Sequence, residues 1–336
     1  MSVQTEAVPT YAPELTRADE AAFPQEADGY RRELFAHCYR MTGSVHDAED
    51  LVQETYLRAW RAYGAFEGRS SVRTWLYRIA TNVCLTALEG RERRPLPTGL
   101  GAPGSTAGDP LDERAEVPWL QPVPDALVAD PASVVTDRDS IRLAFVAALQ
   151  HLPARQRAIL ILRDVLRWRA AEVAEALETT TAAVNSGLQR AHATLAKAQL
   201  SEDEVGDPTP EQREMLERYV QAFWDKDVDA IVAMLTRDAI WEMPPFAGWY
   251  SGDANIGRLI DTQCPGGVHD MPMVPTLANG QPAFGLYMRT AAGDFEPFHL
   301  QVLTLDGHEV RHVVAFFEPT LFGVFGLPER LPADHG

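Results

Sequence analysis

Apolar positions recur at three- and four-residue steps through the first third of the chain. Leu51, Val52, Thr55, Tyr56 and Ala59 form one stripe, and Asp47, Asp50, Gln53, Glu54 and Arg58 fall on the opposite side, which predicts an amphipathic helix. A second such run covers Ser71 to Leu88. The Arg94-Pro95 step closes it, because a proline ring disfavours helical backbone at the residue before it. Residues 30–94 therefore read as a helical unit. Periodicity then vanishes. Pro95, Pro97, Pro103, Pro110, Pro118, Pro122, Pro124 and Pro131 interrupt 95–139, and glycines cluster between 99 and 108, so this stretch reads as a linker and its first part, 95–112, as disordered chain. Helical spacing resumes at Ser140, a residue suited to an N-cap, and runs to about Gln199 with breaks at Pro153 and Glu178-Thr-Thr-Thr181.

After a short hinge over 201–210 the texture changes. One amphipathic helix, Glu211 to Ala222, is followed by alternating Val- and aromatic-rich runs at Ala239 to Met243, Phe284 to Arg289, His299 to Leu305 and Val310 to Phe316. These predict strands of a curved or half-buried sheet. Residues 211–318 are thus expected to form an α+β domain, flanked by a tail at 319–336, while 1–29 reads as a flexible N-terminal tail. A chain of 336 residues is multidomain by length as well. No apolar run approaches the roughly 20 residues of a spanning helix, and 1–29 lacks a signal-peptide pattern, so a cytoplasmic protein without a membrane partner is expected. Cys38, Cys84 and Cys264 lie far apart and suggest three small buried residues, with neither a disulfide framework nor a metal site.

Charge changes the picture. The net charge of −18 argues at first against nucleic acid, but it is unevenly spread. Basic residues outnumber acidic ones by 3 over 30–94 and by 4 over 140–200, whereas acids prevail by 5 over 1–29, 6 over 95–139 and 14 over 201–336. Two basic blocks on an otherwise acidic chain point to two nucleic-acid-facing modules.

Trp168 to Leu177, the turn Glu178-Thr179-Thr180, and Thr181 to His192 read as a helix-turn-helix with Val173, Ala174, Leu177, Val184 and Leu188 inward. Asn185, Ser186, Gln189 and Arg190 then point outward, toward a major groove. An ordinary helical hairpin fits that pattern equally well. The first block decides between them. Asp47-Ala-Glu-Asp-Leu-Val-Gln-Glu-Thr-Tyr-Leu-Arg-Ala-Trp60, followed by Phe66 to Cys84, resembles the core-binding and promoter-melting part of extracytoplasmic-function sigma factors. Leu152 to Arg163 and the helix-turn-helix resemble that family's second DNA-binding domain, in the same order and spacing.

The resemblance implies two all-α sigma domains and two partners, core RNA polymerase and promoter DNA. Asp47, Glu49, Asp50, Leu51, Val52, Gln53, Glu54 and Arg58 would dock on the polymerase clamp. Arg73, Trp75, Tyr77, Arg78, Asn82, Arg91, Arg93 and Arg94 would engage the minus-10 element, with Asn82 at the position that reads an unpaired base and aromatics interleaved with cations as single-strand binding requires. One of Trp75 and Tyr77 is expected to be core, since alternate positions cannot all face out of a helix. Arg169, Thr180, Thr181, Asn185, Ser186, Gln189 and Arg190 would serve the minus-35 element. Two departures stand out: Glu178 occupies a turn position where the family usually has glycine, and Asn185 and Gly187 replace two cations, which predicts weak minus-35 binding without polymerase.

Residues 211–318 resemble the SnoaL-like branch of NTF2-like cone domains, through Tyr219 to Trp224, Ile240 to Pro245, Trp249 to Gly252, Gly280 to Gly285 and Val313 to Phe317. In some sigma factors such a domain acts on the polymerase-binding modules, so an intramolecular contact is expected here, driven by the acidic excess. Trp241, Met243, Phe246, Trp249, Phe284, Tyr287 and His299 are candidates to line a pocket for a small-molecule ligand. Glu242, Asp270, Asp294, Tyr287, His299 and His312 are the candidate acid–base groups. Regulation by contact is preferred over ligand sensing and both over catalysis, and no cofactor is indicated. In the linker, Trp119-Leu120 is an apolar pair expected to have a docking surface. A helix-turn-helix regulator acting without polymerase, or an NTF2-like enzyme fused to a DNA-binding module, are the competing readings.

Overall fold

In a computed structural model, residues 27–102, 104–128, 140–196 and 208–335 are described. The expected tail at 1–29 and hinge at 201–210 lie mostly outside them, as does the end of the linker. Helices α1 (Arg31–Thr42), α2 (Val45–Ala62) and α3 (Val72–Ala87) form the first unit. Ser44 caps α2 by accepting from the Asp47 N–H, and Ser71 does the same for α3 from Thr74. Leu34, Cys38, Met41, Val52, Leu76, Ala80 and Cys84 fill the core between them. After the short α4 (Asp125–Val128), the second unit comprises α5 (Leu143–Leu149), α6 (Ala154–Leu160) continued by a π-turn at Ile161–Val165, α7 (Ala170–Ala176) and α8 (Thr181–Leu195). Ser140 is not an N-cap. Helix α5 starts three residues later with Arg142 at its N-cap, and Ser140 instead accepts a 2.8 Å bond from the buried Arg40 guanidinium of α1.

The third unit opens with α9 (Pro210–Trp224) and α10 (Val228–Ala233). Its strands are β1 (Leu235–Glu242), β2 (Trp249–Ser251), β3 (Met273–Ala278), β4 (Gln281–Arg289), β5 (Phe295–Asp306) and β6 (Glu309–Phe316). Helix α11 (Asp253–Gln263) lies between β2 and β3, and α12 (Thr320–Val324) follows β6. The sheet order is β2-β1-β6-β5-β4-β3, with only β1 and β6 parallel. One sheet face holds the core shared with α9, α10 and α11. On the other, Tyr287, Phe295 and Phe316 join a cluster continuous with the two helical units. The expected architecture of helical, helical and α+β units is therefore present.

The linker departs from expectation. Residues 95–112 are not loose chain but a strap laid across the C-terminal domain. Ser105 bridges to Tyr250 on edge strand β2, Glu113 to Phe246, and Pro124 to Ala278 at the end of the opposite edge strand β3. Proline-rich chain cannot pair along its length, yet it supplies isolated bridges that cover both exposed edges. Leu96, Ala107, Leu120 and Val123 are buried along the way.

Candidate promoter and polymerase interface

The helix-turn-helix is built as its spacing predicts. Val173, Ala174, Leu177 and Val184 are buried between α7 and α8, and Leu188 is half-buried. Thr180 caps α8, its hydroxyl accepting from the Ala183 N–H at 3.1 Å. Thr181, Asn185, Ser186, Gln189 and Arg190 are exposed on the outer face. Arg169 is exposed too, paired with Glu172 at 2.8 Å. Gly187 is not on that face. It is buried, and a Cβ there would lie 2.7 Å from Ile159 Cδ1, so a side chain at 187 would push the Ile159 side chain of α6 aside. Glu178 sits at φ 49°, the left-handed backbone that glycine adopts freely and other residues at a cost of about 1 kcal/mol or more. Glu178→Gly is expected to stabilise the protein by about 1 kcal/mol. Chemical denaturation checks this, and an unmoved or lowered midpoint contradicts it.

The polar face of α2 is only partly available. Asp50 and Gln53 are exposed, and Glu54 pairs with the exposed Arg58 at 2.6 Å. Glu49 binds Arg31, and Leu51 is half-buried. Val52 is fully buried, so it holds the core rather than meeting a partner. Asp47 is turned inward to Arg91 and Arg94, at 3.1 and 2.9 Å. Sequence reasoning missed Leu57 and Trp60, 50% and 43% exposed on the same helix. With Tyr56 and Gln53 they rim an apolar groove.

On α3, Tyr77 is the core residue of the aromatic pair. Its hydroxyl donates to the Glu33 carboxylate at 3.1 Å and its ring meets Trp168 of the second unit edge-on at 6.1 Å. Trp75 is half-buried against Phe66, 4.9 Å away. Asn82 is exposed. Each arginine of the set is held by protein acceptors: Arg73 by Glu33, Arg78 by Glu175 of α7 at 3.0 Å, Arg93 by the Gly99 carbonyl at 2.6 Å, and Arg94 by Asp47 and the Trp119 carbonyl.

The C-terminal domain encloses a cavity of about 290 Å³. Of the expected lining, Trp241, Met243, Phe246 and His299 are there. Trp249, Phe284 and Tyr287 are elsewhere. The Trp249 indole donates to the Ala102 carbonyl of the strap, Phe284 packs on Tyr219, and Tyr287 lies across the sheet with its hydroxyl on Pro328. Of the acid–base candidates Glu242 and His312 come together, at 2.8 Å and outside the cavity lining, while His299 lines the cavity and Asp270, Asp294 and Tyr287 lie apart. Glu242 is buried between His312 and the Thr98 N–H, both at 2.8 Å; Asp270 pairs with Arg289, and Asp294 with Arg330.

Two buried histidines give stability a pH dependence. His299 in the cavity wall and His37 on α1 are both driven down to about 3 by burial, with Arg40 adding to the effect at His37. Unfolded, each titrates near 6.5 and takes up a proton that the folded state refuses. Their contribution is thus complete above about 6.5 and is lost as pH falls toward 3, at about 1.4 kcal/mol per unit for each. Lowering pH from 7.5 to 5.5 should depress the unfolding midpoint while carboxylates of ordinary pKa stay ionised; a flat profile contradicts this.

Residues 27–94 match Sigma-70 region 2, and residues 142–195 match Sigma-70, region 4. The ECF RNA polymerase sigma factor SigG of Mycobacterium tuberculosis is 57% identical over 315 residues, covering 92% of this chain and 85% of that protein. The chain belongs to the extracytoplasmic-function (ECF) sigma factors. SigJ of the same organism is 31% identical over 235 residues, covering 68% of this chain and 64% of its own. The crystal structure of SigJ superposes with a TM-score of 0.60 at 23% identity, covering 90% of this chain and 99% of that one, so the helical units and sheet domain share one overall fold.

In this sigma factor the modules interlock through buried polar groups. Arg157 of α6 is buried, its guanidinium bonded to the Met41 carbonyl at the end of α1, to Gln150 Oε1 at 2.6 Å and to the Leu152 carbonyl at 3.1 Å. Burial pulls its pKa down to about 10. Leu120 packs at Gly43, where φ is 69° and a Cβ would come within 2.7 Å of Leu120 Cδ1, so Leu120 has the docking surface expected of it. The central tie is Asn279, fully buried in the two-residue Asn279-Gly280 turn between β3 and β4. Its Nδ2 donates to the Tyr39 hydroxyl at 2.9 Å and the Ile141 carbonyl at 2.6 Å, while its Oδ1 accepts from the Val123 N–H at 2.9 Å. One amide thus touches the first unit, the strap and the second unit.

Proposed function

We propose that this ECF sigma factor binds core RNA polymerase and promoter DNA to direct initiation, and that its C-terminal domain holds it in a closed state that must open first. The carrying observation is the Arg78–Glu175 contact beside the Tyr77–Trp168 edge, which seats the helix-turn-helix unit on the minus-10 face. Elements about 25 base pairs apart span roughly 80 Å of duplex, so modules in contact cannot serve both. Asn82, Trp75 and Arg78 are assigned to the minus-10 strand, the exposed face of α8 to the minus-35 duplex, and the Leu57–Trp60 groove with Gln53 and Arg58 to the polymerase. The C-terminal domain is read as a regulator and not an enzyme, since its cavity and its carboxylates are separate.

A donor and acceptor dye at exposed Arg69 and Ala183 test the opening. Energy transfer should be high in the free protein and fall when core polymerase and promoter duplex are both added. Transfer that stays high in the complex overturns the closed-state reading.

A further inference from the structure

Cys38 and Cys84 lie far apart in sequence, and the fold brings them together. Helices α1 and α3 run in parallel: the Tyr77 hydroxyl donates to the Glu33 carboxylate at 3.1 Å and His37 Nε2 bonds Thr81 Oγ1 at 3.0 Å, with the same 44-residue offset in both contacts. The next facing positions are Cys38 on α1 and Cys84 on α3, both fully buried and both free thiols. The Cys38 thiol is hydrogen-bonded to Cys84, and that bond, with burial behind it, pushes its pKa well above the ordinary thiol range. Cys38 is the thiol that keeps its proton. Cys84 has a second neighbour, the Arg157 guanidinium of α6, whose acceptors are neutral: backbone carbonyls and the Gln150 amide. A buried cation ordinarily faces an anion, and a thiol can become one. Neither sulfur meets solvent, but a cleft of about 500 Å³ comes within one helical turn of both. Its lining includes Thr42 and Leu88, one turn beyond Cys38 and Cys84, and Arg157 itself.

We propose that Cys38 and Cys84 are a redox-active dithiol, which hydrogen peroxide entering by the cleft converts to an intramolecular disulfide. Cys84 reacts first. Its sulfur attacks one peroxide oxygen, the S–O bond forms as the O–O bond breaks, and hydroxide leaves with the Cys84 proton as water. The Cys38 sulfur then attacks the Cys84 sulfenic acid. The S–S bond forms, the S–O bond breaks, and a second water carries off the Cys38 proton. Two thiols thus lose two electrons, and one hydrogen peroxide gains them to become two waters. The oxidant is small, and native-state opening of the last turn of α1 or α3 admits it. The disulfide ties α1 to α3 two residues from Asn82, next to the Met41 carbonyl on which Arg157 sits. Thiol chemistry therefore acts on the first unit at the seat of the second. This goes beyond the transcription reading and does not depend on it.

The test treats the full-length chain with hydrogen peroxide, unfolds it in urea with excess iodoacetamide, and digests it with trypsin for mass spectrometry. Peptides 33–40 and 79–91 carry the two cysteines. They should appear joined with the loss of two hydrogens, in a monomeric chain, and separate again in dithiothreitol, while Cys264 is alkylated. Cys38→Ala should raise dimedone-trapped sulfenic acid at Cys84 at least about fivefold, because the resolving thiol is gone. Cys84→Ala should slow oxidation of Cys38 at least about tenfold, because a buried, protonated thiol then stands alone. Both substitutions leave small holes in the core, so the joined peptide of the unaltered chain is the deciding readout. Sulfinic or sulfonic acid without the joined peptide, a link to Cys264 or between chains, or native thiols that resist a peroxide dose able to oxidise the urea-unfolded chain overturns the assignment. So does oxidation of Cys38 at the parent rate in Cys84→Ala.

Discussion

Asn279→Ala should unlatch the C-terminal domain from the helical modules. The substitution strands the Val123 N–H and the Ile141 carbonyl and removes a donor from the Tyr39 hydroxyl. Each buried group left without a partner costs about 1–3 kcal/mol, so the two stranded groups cost the closed arrangement on the order of 2–6 kcal/mol by the same measure. Amide exchange around Val123 should accelerate by about 25-fold or more, since each 1.4 kcal/mol is tenfold. Asn279 has φ 57°, so alanine also strains the turn. Asn279→Gly separates the two effects, because glycine removes the amide without that strain. Matching acceleration in both variants assigns the latch to the side-chain amide. Unchanged exchange in both contradicts it.

Asn82→Ala is expected to spare the fold and cripple promoter opening. Asn82 is exposed on α3, one turn beyond Arg78, and contributes nothing to the packed core. If its amide reads an unpaired base, losing it costs about 1–3 kcal/mol of recognition, or roughly 5- to 150-fold in open-complex yield. Unfolding midpoint and core polymerase affinity should stay as they were. Permanganate reactivity of the melted strand reads the loss directly, and reactivity equal to the parent chain would remove Asn82 from the melting role.

Much of this architecture was legible in the sequence because amphipathic periodicity reports which side of a helix is wet. That is why α2, α3 and the two helices of the helix-turn-helix could be placed. The same signal does not say what covers a dry side. Val52 and Tyr77 belong to core stripes although their neighbours face out, and Asp47 is turned from solvent by Arg91 and Arg94. The hydrophobic pattern does not predict strand β3, because Pro275 interrupts it, which an edge strand tolerates.

The strap was illegible for a different reason. Proline- and glycine-rich chain has no preference of its own, and its order comes from bonds to residues more than a hundred positions away, such as Thr98 to Glu242 and Ala107 to Asn255. The acidic excess of the C-terminal domain leads to an expectation of attraction to the basic blocks; the contacts on view between the units include the Asn279 amide, backbone groups, apolar packing and His46–Glu318 at 3.7 Å. The Asn279-Gly280 step is visible in sequence as a hairpin turn. Nothing local could reveal that its side chain also joins three units.

The most direct test is promoter-specific transcription by core RNA polymerase supplied with this chain, compared with a form ending after residue 205. The full-length protein should direct initiation from a cognate promoter, with melting localised to the minus-10 region, and the shortened form should change that output because the latch at Asn279 is gone. No initiation by either form would contradict its role as a sigma factor. Equal output from both would contradict control by the C-terminal domain.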